Sequence, residues 1–251
     1  MTSAVVEPNV APGSAPARKR DARLASGTEA LALCAGRELE DAPATEIIRW
    51  AAKVFGDRLA VTSSMADAVV AHLASTVKPG IDVLFLDTGY HFAETIGTRD
   101  AVAAVYDVNV INVTPTLSVA GQDTAFGKDL FATDPDRCCA LRKVAPLNAA
   151  MRDYDAWITG LRRDEAPSRA NTPVVSWDAN RGKVKICPIA RWTQDDVDAY
   201  VAEHGILLNP LLLDGYDSIG CRPCTRRTVA GEDARAGRWA GTGKTECGLH
   251  S

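Results

Sequence analysis

Five of the seven cysteines in this 251-residue chain fall into three groups with different chemical prospects. Cys138 and Cys139 are adjacent, Cys221 and Cys224 bracket an Arg-Pro turn, and Cys247 stands alone in the terminal run Glu246-Cys247-Gly248-Leu249-His250. Two close pairs far apart in sequence supply the four thiolates that a 4Fe-4S cluster needs. Adjacent residues rarely reach one compact tetrahedral ion without strain, whereas the corners of a cube are spaced to take them. Structural zinc, which often uses CxxC turns, stands near parity on spacing alone, and a vicinal disulfide is a distant third reading. A single thiol with Gly241, Gly243 and Gly248 around it suits a nucleophile on a swinging tail; an inert thiol on a loose terminus is the bland alternative. Cys34 and Cys187, each alone among apolar neighbours, read as small core residues.

Basic residues crowd the same regions. Arg142 and Lys143 follow the first pair, Arg162, Arg163 and Arg169 follow the segment ending at Thr159, and Arg235 and Arg238 follow the CxxC turn. Arg forks match sulfate and phosphate oxygens, and cations beside a thiol favour the thiolate, the form that attacks. For any one of them a solvated surface is the ordinary alternative. Ser63 and Ser64 sit where a first strand meets a helix, a place to hold an anion or simply to cap the helix. Leu86-Asp87-Thr88-Gly89 ends the next strand, as a reader of base or ribose or as a plain tight turn. Neither GxGxxG nor GxxxxGK occurs at the first turn, which argues against an ATPase. His72, His91 and His204 read as structural; His250 could assist as a base or orient the tail.

The elements that must position these residues alternate. Apolar segments at Leu59-Thr62, Asp82-Leu86, Val108-Val113 and Ala156-Thr159 read as strands, with helices over about 68–73, 94–105 and 139–152 between them. Two helices over residues 29–55 precede them. Pro173-Val175 and Val184-Pro188 read as a β pair, and Thr193 caps a helix whose first turn carries Asp195 and Asp196. The expected fold is α/β, a single domain with a mostly parallel, helix-flanked sheet and ligands at the strand carboxyl ends. The domain is expected over residues 29–240, after a disordered leader at 1–28 and before a mobile tail at 241–251 that carries Cys247. A hydrophobic share of 46% supports a real core, and a net charge of -4 gives no field for nucleic acid or anionic membrane. No apolar run reaches membrane-helix length, no secretory signal is visible, and clustered cysteines then suit metal or redox chemistry in the cytoplasm. Homo-oligomerisation is left open.

Taken in order over residues 45–251, seven motifs resemble the assimilatory sulfonucleotide reductases, and among them the adenylyl-sulfate (APS) reductases. They are Ser63-Ser64-Met65-Ala66-Asp67, Leu86-Asp87-Thr88-Gly89, Cys138-Cys139-Ala140-Leu141-Arg142-Lys143, Thr159-Gly160-Leu161-Arg162-Arg163-Asp164, Cys221-Arg222-Pro223-Cys224-Thr225-Arg226, Arg235-Ala236-Gly237-Arg238-Trp239 and Glu246-Cys247-Gly248-Leu249-His250. Two departures stand out: Met65 and Ala66 replace a usual glycine and acidic residue, and the segment around Arg169 is shortened.

The resemblance implies a fold like that of the ATP pyrophosphatases (adenine nucleotide α-hydrolase-like). It implies that the Cys247 thiolate attacks the sulfur of APS, that AMP leaves, and that thioredoxin releases sulfite from the resulting S-sulfocysteine, in sulfate assimilation toward cysteine. Lys143, Arg169, Arg235 and Arg238 would surround the sulfate and α-phosphate, while Ser63, Ser64, Leu86, Thr88, Gly160, Arg162 and His250 would contribute further substrate contacts. Cys138, Cys139, Cys221 and Cys224 would hold a 4Fe-4S cluster of electrostatic and structural role. Reduction of 3′-phosphorylated PAPS, alone or alongside APS, is the near alternative, although family members restricted to PAPS lack the Cys pairs. A non-catalytic, nucleotide-binding iron-sulfur sensor is the alternative from another class.

Overall fold

The computed structural model describes residues 22–249, and its centre is one six-stranded sheet. Two helices come first, α1 (Ala22–Glu38) and α2 (Ala44–Phe55). The alternating part follows as β1 (Leu59–Ser63), α3 (Val69–Val77), β2 (Ile81–Leu86), α4 (Ala93–Val105) and β3 (Val108–Val113). Three short helices, α5 (Val119–Phe126), α6 (Leu130–Thr133) and α7 (Pro135–Cys139), lead through a π-helical turn at Ala140–Val144 into α8 (Ala145–Ala150). Then come β4 (Ala156–Thr159), β5 (Val175–Asp178), β6 (Lys183–Ile186) and α9 (Gln194–His204).

The sheet order is β3-β2-β1-β4-β6-β5, parallel throughout except for the antiparallel edge strand β5. Period-two alternation splits each central strand between two cores. Leu59, Val61, Ile81, Val83, Phe85, Ala156 and Ile158 face a large core under α1, α2, α3 and α9, while Ala60, Leu84 and Trp157 face a smaller one with Leu147, Met151 and Tyr154. Both faces of the sheet are therefore covered, which is why the strands read as unbroken apolar runs. The Thr193 cap is present as a reciprocal capping box with Asp196, and Gly205 ends α9 in the left-handed region (φ 61°).

Three expectations are corrected. The first helix begins at Ala22, so residues 22–28 are helical and not leader; residues 1–21 lie outside the described residues. Its inward face carries Ala32, Ala35 and Gly36, too small to register as apolar periodicity, and a Cβ on Gly36 would sit 2.5 Å from the Val175 carbonyl oxygen. Cys34, between those inward positions, points outward and is exposed, whereas Cys187 is fully buried as expected. The helix expected over 139–152 is broken into α7, the π turn and α8. Pro146 has no N–H for the Arg142 carbonyl four residues back, and the wide turn at Ala140–Val144 falls immediately before it.

Candidate active site

Strand order reverses at β1, which pairs with β2 on one side and β4 on the other, so the loops leaving β1, β2 and β4 diverge at the carboxyl edge of the sheet. Such a reversal opens a crevice for ligands. The loop after β1 carries Ser63 and Ser64. Ser63 Oγ accepts from the Met65 backbone N–H at 3.1 Å, and Ser64 is exposed. Met65 takes a glycine-like backbone with φ 58° while its side chain is wholly buried. A non-glycine residue in that region costs about 1 kcal/mol or more, which burial of the side chain offsets.

The loop after β2 reaches both cysteine motifs. Thr88 Oγ1 lies 3.2 Å from Cys221 Sγ, and the Tyr90 carbonyl accepts from the Arg222 N–H at 2.7 Å. Arg142, buried in the π turn beside the first Cys pair, donates through Nε to Thr88 O (2.5 Å) and through Nη1 to Gln122 Oε1 (3.2 Å) and Leu117 O (3.3 Å). One guanidinium thus ties the β2 loop and the segment after β3 to the cysteine turn. The pairs Cys138–Cys139 and Cys221–Cys224, more than 80 residues apart in sequence, consequently line one cavity with Tyr90, Phe131, Arg142 and Lys143.

Burial, then the neighbouring thiols, push Cys138 and Cys224 up to about 11, and burial raises Cys139 as well. Burial works against charge on Lys143, but the thiols of Cys221, Cys247 and Cys139 outweigh it and hold its pKa above the usual lysine value. Among the described residues no three His, Cys, Asp or Glu side chains converge as a ready-made site for a single ion. The four sulfurs wall a cavity instead.

The C-terminal segment closes over this region. Lys244 pairs with Asp136 ahead of the first Cys pair, and Leu249 packs against the smaller core beside Leu86 and Ile111. Between these anchors the half-buried Cys247 lines a cleft of about 610 Å³ with Pro135, Asp136, Ala140 and Val144. Its thiol acts electrostatically on Lys143 and Arg238. Arg238 lies over the Trp239 ring at 4.6 Å and donates to Ile219 O (3.1 Å) and Ser218 Oγ (3.3 Å), leaving its buried Nε with no partner.

The remaining sequence-predicted residues divide into two groups. Arg169 and Arg235 come together with the tail: Glu246 accepts from Arg169 at 2.9 and 3.0 Å and from Arg235 at 3.1 Å. Arg162 turns aside to Asp164 (3.1 Å) and Gln194 (2.7 Å), Leu86 O accepts from His91 Nε2 at 2.8 Å, and Gly160 fits closely against Val70, 3.2 Å from where a Cβ would stand. His250 lies outside the described residues. Sequence reasoning passed over Arg142 as a structural tie and Glu246 as a partner of the arginines. The only sequence cue to Glu246 was its place next to Cys247, because its partners are 77 and 11 residues away.

Comparison with known proteins identifies the family. The phosphoadenosine phosphosulfate reductase domain family matches residues 58–227. A Streptomyces coelicolor protein named adenosine 5′-phosphosulfate reductase is 68% identical over 231 residues, 92% of this chain and 98% of that one. A protein of the same name from Mycolicibacterium smegmatis is 61% identical over 85% of this chain and 90% of its own length. Among solved structures, a phosphate complex of phosphoadenylyl-sulfate (PAPS) reductase from Candida auris superposes with a TM-score of 0.67 at 28% identity, covering 78% of this chain and 96% of that one. Yeast FAD synthetase bound to FAD shares the fold alone, with a TM-score of 0.50 at 12% identity over 83% of this chain and 70% of that one. With its reversed strand order, its four-thiol cavity and a family match spanning β1 to the CxxC turn, the chain belongs to the phosphoadenosine phosphosulfate reductase domain family.

Proposed function

We propose that this chain is an adenylyl-sulfate reductase that converts adenosine 5′-phosphosulfate to sulfite and AMP in sulfate assimilation. The carrying observation is the seating of Cys247 in a cleft that shares Pro135 with the four-thiol cavity, within electrostatic reach of Lys143 and Arg238. Relatives from 52% to 68% identical bear the name adenosine 5′-phosphosulfate reductase, which supports the same substrate here.

The Cys247 thiolate attacks the sulfate sulfur, an S–S bond forms as the S–O bond to the phosphate breaks, and AMP leaves with the bonding pair. A reduced dithiol of the thioredoxin type then attacks the Cys247 sulfur and expels sulfite, and its second thiol closes a disulfide to free Cys247. Charge on the departing phosphate and on the sulfonate oxygens is held by Lys143 and Arg238, whose aliphatic and aromatic surroundings exclude water and strengthen the interaction. The tail supplies orientation: with Leu249 and Lys244 anchored, Cys247 is delivered to one place.

Cys138, Cys139, Cys221 and Cys224 fit a 4Fe-4S cluster, since four sulfurs around a cavity, three buried and Cys224 partly so, with Arg142 and Lys143 beside them, match its donor set and its negative charge better than a lone ion. When bound, such a group supplies a fixed charge distribution beside the anionic substrate.

Mixing the protein with APS and measuring intact mass gives an adduct of one sulfonate group on Cys247, absent in Cys247→Ser and lost with sulfite release when thioredoxin is added. An unmodified Cys247 overturns the covalent mechanism. Parallel assays with APS and PAPS decide the substrate, and iron with acid-labile sulfide, against zinc, decides the metal group.

A further inference from the structure

The cations expected to meet substrate do not share one state. Among the described residues Lys143 and Arg238 pair with no carboxylate, whereas Arg169 and Arg235 are already engaged by Glu246, the residue next to the nucleophile. Arg169 offers Nε and Nη2 to the two carboxylate oxygens of Glu246 at 2.9 and 3.0 Å, and its Nη1 to Glu165 at 2.5 Å. Arg235 Nη2 adds a contact to Glu246 Oε2 at 3.1 Å and one to the Thr245 carbonyl at 3.2 Å, and Ser168 Oγ lies 3.5 Å from Oε1. Side-chain exposure is 12% for Arg169, 14% for Arg235 and 30% for Glu246, so the pairs are sheltered enough to matter.

A bidentate guanidinium edge holds one oxyanion at a time, and carboxylate, sulfate and phosphate compete for the same two N–H vectors. Charge points the same way. Two arginines facing Glu165 and Glu246 are balanced, and a further anion joins them favourably only when a carboxylate departs. Of the two, only Glu246 sits on the tail.

We propose that Glu246 is a built-in substitute for the substrate oxyanion: it occupies the Arg169–Arg235 cradle when the site is empty and latches the tail down, and an incoming nucleotide oxyanion displaces it. Glu246 is then a positioning residue, setting where Cys247 rests and coupling the freeing of the 246–247 segment, between the Lys244 and Leu249 anchors, to nucleotide binding. This rests on the reductase reading for the identity of the ligand, and on the ion pairs for everything else.

Coupling between two competing groups is reciprocal. In the holoenzyme AMP therefore speeds alkylation of Cys247 by iodoacetamide, followed by peptide mass at saturating pH, where the plateau rate reports access to the thiol. In Glu246→Gln, an isosteric change, alkylation is fast without AMP and indifferent to it. AMP also binds this variant more tightly, by ~10-fold if the parent cradle is free about a tenth of the time. Glu165→Gln removes an equal charge from the same arginine but leaves the tail carboxylate in place, so the response to AMP persists. Unchanged or slowed alkylation of the parent with AMP overturns the proposal, as does an equal loss of response in Glu165→Gln. A protein that shows this coupling yet fails to reduce APS refutes the assigned reaction and keeps the latch; one that reduces APS without coupling does the reverse.

Discussion

Gly220→Ala isolates what Arg238 does. Gly220 precedes Cys221, and a Cβ there would lie 2.3 Å from Arg238 Nη2, 2.4 Å from Cζ and 2.8 Å from Nε. Gly220 is not among the glycines with positive φ, so its backbone accepts alanine and the whole perturbation falls on the guanidinium. Contact needs about 3.5 Å, so that group must retreat by roughly 1 Å. Its bonds to Ile219 O (3.1 Å) and Ser218 Oγ (3.3 Å) and its stacking on Trp239 (4.6 Å) are lost or weakened. At about 0.5–1 kcal/mol for each, the cost is about 1–3 kcal/mol, or roughly 2–4 °C of Tm per kcal/mol. A displacement of that size at a charge-stabilising group lowers kcat/KM by about 10–100-fold. Steady-state sulfite release with saturating reductant and thermal unfolding measure the two effects. In an Arg238→Ala background the same change has no further effect on kcat/KM, because its target is gone. Parent-like kinetics in the single variant, or a full additional loss in the double, refutes the role given to Arg238.

Two further outcomes follow from buried groups outside the reacting centre. Arg142→Ala strands the acceptors Thr88 O, Leu117 O and Gln122 Oε1, at about 1–3 kcal/mol for each one fully buried, so the urea midpoint falls and bound iron falls with it as the Thr88 loop loosens. Arg142→Lys restores charge but not the fork, and recovers little; a parent-like midpoint in either variant counts against the tie. Burial, then the charge of His204, holds His72 below its ordinary 6.5, and burial does the same for His91. A folded-state pKa below the unfolded one makes stability complete above about 6.5 and lost as pH falls toward the depressed value. Tm therefore drops as pH falls below about 6.5, less steeply in His72→Gln, and a flat parent profile refutes the assignment.

Much of the fold was legible because parallel strands buried on both faces leave continuous apolar runs. The segments at 108–113 and 156–159 coincide with β3 and β4, and the β pair expected at 173–175 and 184–188 is found as β5 and β6, whose antiparallel sense only the structure gives. Where side-chain size carried no signal, the reading fell short. The small inward face of α1 hid seven helical residues, and the π turn before Pro146 has no periodicity of its own.

The sequence by itself determined the chemical inventory: four paired thiols, a lone thiol beside glycines, a supply of arginines, and a motif order specific enough to indicate the family. Those are properties of residue type and spacing. Only the tertiary structure decided which groups meet, because a buried guanidinium links Thr88 to the cysteine turn across 54 residues and Glu246 finds Arg169 across 77. Whether a cation is free to hold a ligand depends on what already satisfies its hydrogen bonds. That is settled by packing, which leaves Arg238 Nε without a partner and fills the edge of Arg169.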